Sequence, residues 1–210
     1  MAVLDDLKEA VVEGDPAGAV AGVKAGLAEG ISAESLLKDG LIAAMQVVGR
    51  LYEEEDYYVP EMLLAAKAMT EALNILRPHL VETGVEARGS VTIGTVKGDL
   101  HDIGKNLVSM MLEGAGFAVT DLGVDVSADR FIEAIEGGAQ VVAMSALLTT
   151  TMTAMKDNID RIEAAGLRER SHLIVGGAPV TQEFADKIGA DGFAPDASGA
   201  VRLVQTLLKV

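Results

Sequence analysis

Val91-Thr92-Ile93-Gly94-Thr95-Val96-Lys97-Gly98-Asp99-Leu100-His101-Asp102-Ile103-Gly104-Lys105-Asn106 joins a short β-type run to a polar, glycine-containing loop and the start of a helix. The run is Val91–Val96, and the helical stretch covers about 103–115. The same unit recurs downstream. Further β-type runs stand at Phe117–Asp121, Val141–Ser145, Leu173–Val175 and, weakly, Gly192-Phe193. Helical candidates follow them at about 128–136, 152–166, 181–188 and 197–209. Five strand–helix units in succession predict an α/β domain, a flavodoxin- or Rossmann-like five-stranded parallel sheet with helices on both faces and right-handed crossovers. Ligands of such sheets lie beyond the carboxyl ends of the strands, where the strand order switches. The residues just after each strand are therefore the ones to read for chemistry.

Upstream of this region the spacing is helical only. Asp15-Pro16 is a cap followed by a first-turn proline and predicts a helix from Ala17 to Glu29, ended near Gly30. Ser32 precedes the next helix, on which Leu37, Leu41, Met45, Val48 and Tyr52 form one apolar stripe. After Pro60, a second stripe runs through Met62, Ala66, Met69, Leu73, Leu76 and Leu80. With a shorter helix through Val3, Leu7 and Val11, these make a four-helix bundle over residues 1–82. Residues 83–90 lose the period and read as a linker, which leaves 91–210 as the α/β domain.

Half of the 210 residues are hydrophobic, enough for a sizeable core, and the formal charge is −15. That charge argues against binding a phosphate backbone, so no nucleic-acid partner is expected. Without cysteine there is no disulfide, thiolate nucleophile, zinc finger or iron–sulfur cluster, and the chain reads as cytoplasmic. The start, Met1-Ala2-Val3-Leu4-Asp5, meets an acid before the apolar run that a signal peptide requires. The longest uncharged stretch, Gly137 to Met155, carries Gln140, Ser145 and four threonines. It reads as strand, turn and helix rather than as a membrane span.

The loop after the first strand fails three common readings. A phosphate-binding P-loop needs four residues between its glycines and then Lys-Ser/Thr; here Gly98 and Gly104 enclose five, and Asn106 follows Lys105. The three-glycine dinucleotide pattern is missing. A phosphorylated receiver would place Asp at the end of the third strand, where Ser145 stands. What remains is Asp99-x-His101 on an irregular loop. One imidazole nitrogen can bind a metal while the other donates to a carboxylate, although a His that merely caps the loop fits the same letters. One protein ligand does not hold a bare divalent ion tightly, so a lone His suits a metal that brings its own equatorial ligands in a macrocycle. Two further strand ends face the same crevice, Ser145-Ala146-Leu147-Leu148-Thr149-Thr150-Thr151 and Gly176-Gly177-Ala178-Pro179. Their hydroxyls can bond a polar ligand, and the glycine pair lets a bulky one touch backbone.

The order Asp99-x-His101-x-x-Gly104, 40 residues, Ser145-x-Leu147, 28 residues, Gly176-Gly177 resembles the cobalamin-binding signature of methionine synthase and the corrinoid methyltransferase proteins. Tyr58-Val59-Pro60-Glu61-Met62-Leu63-Leu64-Ala65-Ala66 resembles the cap helix that covers the corrin in that family. Nearly the whole chain is similar to a stand-alone corrinoid protein of a methylamine, methanol or methoxy-compound methyltransferase system.

The resemblance implies a cobalamin or related corrinoid, bound with its own base displaced and threaded into the α/β domain. It implies His101 as the lower axial ligand of cobalt, with Asp99 on the other imidazole nitrogen and Thr151 at the position of a relay serine. It implies that Ser145, Leu147 and Thr149 line the tail pocket past Gly176, Gly177 and Ala178. Gly98, Asp102, Ile103 and Gly104 would lie near the corrin or the nucleotide loop, and Phe193, Ala194 and Asp196 would close the far end. Val59, Met62, Leu63 and Ala66 would shield the upper face, a bundle-core role explaining Met62 as well. Tyr52, Tyr57 and Tyr58 would face the corrin or partners, or pack helix ends. The implied activity is methyl carriage: Co(I) takes a methyl group within a substrate-specific methyltransferase, and methyl-Co(III) gives it to a second methyltransferase serving a thiol or tetrahydrofolate. A reductive activation protein is the third implied partner, no membrane is involved, and the 82–90 segment would be the hinge. Alternatives are a cobalamin-dependent sensor, a mutase subunit and a flavodoxin-like domain for another ligand. No basic helix accompanies the chain as a regulator would require, and residues 1–82 speak against the mutase.

Overall fold

The computed structural model describes residues 2–210. They form two compact units, one running to residue 87 together with 113–116, the other comprising 88–112 and 117–210.

The first unit is helical: α1 (Ala2–Val12), α2 (Pro16–Ala28), α3 (Ala33–Ser35), a π-helical turn pair (Leu36–Ile42), α4 (Ala43–Glu53) and α5 (Val59–Thr83). Because α3, the π segment and α4 run on continuously, the chain makes four rods, as the apolar spacing predicts. Asp15 accepts the Ala17 amide at 3.0 Å and Ser32 accepts the Ser35 amide at 3.1 Å, satisfying the free N–H groups that open α2 and α3. One stripe is displaced. Leu36 rather than Leu37 is fully buried, followed by Gly40, Leu41 and Ile42, because i→i+5 hydrogen bonding in the π segment shifts the inner face away from α-helical spacing. On α5 the inner face is Met62, Ala65, Ala66, Met69, Ala72, Leu76 and Leu80. α5 ends at Gly84, whose φ of 69° suits a left-handed cap, and Val85 returns its amide to Leu80.

The second unit carries β1 (Ser90–Thr95), β2 (Ala118–Asp121), β3 (Val141–Ser145), β4 (His172–Gly176) and β5 (Gly192–Ala194). Between and after them run α6 (Ile103–Gly114), α7 (Ala128–Glu136), α8 (Met152–Ala164), α9 (Gln182–Ile188) and α10 (Ala197–Leu208). The strands pair in parallel in the order β2-β1-β3-β4-β5, so the switch in order falls between β1 and β3. β1, β3 and β4 are buried almost throughout, as strands covered on both faces must be. Phe131, Ile135, Val142, Met144, Met155, Ile162 and Val175 are among the residues of the core on one side of the sheet.

Residues 83–90, read as a linker, hold the last residue of α5, its Gly84 cap and the first residue of β1. Residues to Thr83 are helical, and the Ser90 amide donates to Gln140 Oε1 at 2.9 Å at the foot of the sheet. Only 85–87 lie between the α5 cap and the second unit. Among the described residues no helix is long and apolar enough to cross a membrane.

Candidate functional site

Parallel register sets the stage. Thr95 pairs with Ser145, Ser145 with Gly176, and Gly176 with Ala194, one row across the carboxyl rim of the sheet. Three of the expected site residues thus share a level, and Thr95 adds a fourth member that periodicity does not single out.

From the end of β1 the chain turns at Gly98 (φ 85°) and delivers Asp99 to the switch point. Asp99 is fully buried, and a buried carboxylate is tolerated only when its lone pairs are met. Oδ2 accepts Thr151 Oγ1 at 2.6 Å, the Leu147 amide at 2.8 Å and the Leu148 amide at 3.3 Å. Oδ1 accepts the His101 amide at 3.1 Å and lies 2.7 Å from His101 Nδ1. Burial alone would push the Asp99 carboxyl up; the bonds from Thr151, Leu147 and His101 outweigh it and hold the carboxyl well below the usual carboxylate range. Thr151 has a single hydroxyl proton, with Leu148 O at 2.9 Å as the competing acceptor, and the shorter contact to an anion takes it.

An ionised Asp99 fixes the imidazole. A carboxylate only accepts, so Nδ1 of His101 carries the proton and Nε2 of the neutral ring keeps its lone pair. The His101 side chain is 51% exposed although its partner is wholly buried, so the ring is tethered on one edge and open on the other. Around it stand unusually bare apolar side chains, Leu100 at 71%, Ile103 at 81%, Leu147 at 43% and Leu148 at 44% exposure. Gly104 has nothing within 4 Å of where a Cβ would be, and a Cβ on Gly177 would come 1.9 Å from Ala146 O. One free nitrogen donor inside an apolar, glycine-bordered rim fits a large flat ligand whose metal brings its own equatorial donors. Among the described residues no group of three or more His, Asp or Glu could hold a bare ion.

The other expected residues divide. Ser145 is half-buried at the strand end, while Thr149 is exposed in the turn before Thr151. Asp102 is exposed and accepts Asn106 Nδ2 at 3.2 Å. Gly176 and Gly177 are half-buried and Ala178 is exposed. Phe193 packs against the core, Ala194 is buried, and Asp196 caps α10 by accepting the Gly199 amide at 2.7 Å. For these last three the fold already accounts for the side chain. In the helical unit Met62 and Ala66 are buried on the inner face of α5, the core position their apolar stripe predicts. Tyr58, Val59, Leu63 and Leu64, at the start of α5, are exposed. Tyr57 donates its hydroxyl to Val12 O at 3.0 Å, a helix-end tie.

Four contributors escape side-chain pattern reading. Leu147 and Leu148 act on Asp99 through backbone amides. Thr95 Oγ1 donates to His101 O at 2.9 Å. Asp125, after β2, accepts the Gly98 amide at 2.7 Å and donates its own amide to Asp99 O at 3.0 Å.

Exchanging Asp99 for the isosteric amide turns an acceptor-only group into one that must point N–H at existing donors. Asp99→Asn is expected to destabilise the apoprotein at neutral pH by about 2–3 kcal/mol. A carboxyl lowered on folding contributes stability above its unfolded value and loses it as pH falls through the folded one. The deficit of the variant should therefore hold at neutral pH and shrink progressively below about pH 5. Urea melts of both proteins at pH 7 and in the acid range check the size and the sign.

A doubly wound sheet with an Asp-fixed His and a bare apolar rim at its switch point, preceded by a helical bundle, defines a corrin-binding class of protein. Both halves match models of the B12 binding domain, over residues 89–204 and 3–77. The chain is 42% identical to a dimethylamine corrinoid protein of Methanosarcina acetivorans, over 98% of this chain and 96% of the relative. It is 38% identical to a corrinoid protein of Desulfitobacterium hafniense, over 99% and 98% respectively. The solved methanol:cobalamin methyltransferase complex of Methanosarcina barkeri superposes with a TM-score of 0.88 at 29% identity, covering 99% of this chain and 80% of that one. The chain belongs to the B12-binding corrinoid proteins.

Proposed function

We propose that this chain is the corrinoid-carrying subunit of a cytoplasmic methyltransferase system, with His101 as the lower axial ligand of cobalt. The observation that carries the ligand assignment is the 2.7 Å contact of His101 Nδ1 with a fully buried Asp99, which leaves Nε2 as the free donor on an exposed ring edge. When bound, the corrinoid supplies a cobalt centre able to accept a methyl group and give it up again.

The chain's own residues bind, orient and hold protons. Leu100, Ile103, Leu147 and Leu148 offer apolar surface to the macrocycle, and Ser145, Gly176 and Gly177 border the path of the displaced tail. The Asp99 anion would keep the proton on Nδ1, leaving Nε2 as the atom that would hold the group. Thr151 and the Leu147 amide keep that anion desolvated and fixed. On α5 of the helical unit, Val59, Leu63 and Leu64 leave apolar side chains exposed. A substrate-specific methyltransferase, a second methyltransferase to a thiol or tetrahydrofolate and a reductive activation protein complete the system.

Loading apoprotein with cob(II)alamin and recording its EPR spectrum tests the assignment. Splitting of the cobalt lines by one axial nitrogen is expected. It should persist when the loading corrinoid lacks a benzimidazole base; its disappearance with that corrinoid removes His101 from the coordination sphere.

A further inference from the structure

Lys105 is a cation that the site described above does not use. It sits in the first turn of α6, where the helix dipole disfavours positive charge, and its side chain is only 1% exposed. Burying an ammonium costs several kcal/mol unless acceptors replace its water, so an apolar residue would serve packing better here. Its Nζ donates to Asp121 Oδ2 at the end of β2 and to Asn106 Oδ1 at 2.6 Å.

Two paths lead from Lys105 back to His101. An ammonium can only donate, so it holds the Asn106 amide with the oxygen inward; Nδ2 is thereby aimed at Asp102, 3.2 Å away and next to His101 in the chain. On the other side, Asp121 Oδ1 accepts the Gly123 amide at 2.8 Å. Gly123 O accepts the Thr95 amide at 3.0 Å, and Thr95 Oγ1 donates to His101 O at 2.9 Å. The bonds close a ring around the loop from β1 to α6, and Lys105 is the member linking its two arms.

Resting on the ligand assignment above, we propose that Lys105 is a positioning residue that sets the height and angle of His101 for axial coordination. It touches no bound group and acts through Asn106–Asp102 and Asp121–Gly123–Thr95. Removing it leaves the Asp99–His101 contact possible but frees the loop that presents it.

Lys105→Met keeps the length of the side chain, and Asp121→Asn removes the charge of its partner at a position 39% exposed. Each is compared with wild type in two measurements. In the cob(II)alamin-loaded proteins, the fraction of spins showing nitrogen splitting should fall at least about threefold in Lys105→Met and by less in Asp121→Asn. In the apoproteins, amide exchange across 98–104 should quicken about tenfold while β3 and β4 amides keep their protection. Unchanged splitting and unchanged loop exchange in Lys105→Met overturn the proposal. Should that variant not fold, the same null result in Asp121→Asn overturns it. A wild-type spectrum without nitrogen splitting refutes the His101 assignment instead, and the apoprotein exchange then decides for or against Lys105 as the holder of this loop.

Discussion

His101→Ala is expected to abolish the nitrogen splitting in the Co(II) EPR spectrum while the protein stays folded. The two outcomes separate because His101 and Asp99 are held by different bonds. Asp99 loses its contact with Nδ1 but keeps the backbone amide at 101, the Leu147 and Leu148 amides and the Thr151 hydroxyl. No lone pair is orphaned, so the cost in stability should be about 1 kcal/mol. The ring is half-exposed and contributes little packing. Nε2, by contrast, has no substitute: the other two histidines are His79, on α5 in the helical unit, and His172, at the amino-terminal end of β4, the far edge of the sheet from the switch point. The splitting should therefore vanish rather than weaken. The tail path proposed past Ser145, Gly176 and Gly177 does not involve the imidazole, so the variant should retain some corrinoid. Splitting that survives in His101→Ala would assign the axial nitrogen to the cofactor's own base.

The contrast between His101 and its supports shows what a sequence can and cannot reveal. Strands and helices of the second unit were legible because burial on both faces forces apolar runs, and because amphipathic helices repeat near every 3.6 residues. Asp99 and His101 stand out as an Asp-x-His pair on an irregular loop and Thr151 through the family resemblance alone; the structure adds the hydrogen bonds that join the three. Leu147 and Leu148 reach Asp99 through N–H groups that every non-proline residue owns, so no letter marks them. Asp125 meets Gly98 across 27 positions, a pairing that exists only once β2 lies beside β1. Lys105 was read only as the lysine of a failed P-loop, since burial of a charge cannot be seen before its partner Asp121 is placed. Leu36 displaced Leu37 because a π-helical turn shifts phase without a sequence mark as strong as Gly or Pro. On α5 the spacing of Met62, Ala66, Met69, Leu76 and Leu80 marked the buried side, because one apolar stripe at helical period is what a bundle must cover.

Gly177→Ala should be the most damaging single-methyl change in the second unit. Two costs combine there. The φ of 124° lies where side chains are strongly disfavoured, worth about 1–3 kcal/mol on its own. The added Cβ would also fall 1.9 Å from Ala146 O and 2.9 Å from its carbonyl carbon, both backbone atoms that cannot rotate away. Gly189 supplies the control: its φ of 78° also disfavours a side chain, but nothing lies within 4 Å of the new atom. Gly189→Ala should therefore cost about 1 kcal/mol, and Gly177→Ala at least about 3 kcal/mol, measured as urea midpoints at equal slope. The clash also points at the site. Relief requires Ala146 to retreat from β4, where its amide bonds Gly176 O, and Ala146 is covalently joined to Leu147. Any such retreat lengthens the 2.8 Å bond from the Leu147 amide to Asp99, loosening the carboxylate that orients His101. Whatever folded fraction of Gly177→Ala survives should thus show weakened nitrogen splitting with His101 intact. Gly189→Ala, whose strain sits at the end of α9, should keep the full splitting. Equal stability of the two variants would show that the backbone beyond β3 and β4 yields freely where Ala146 meets Gly177.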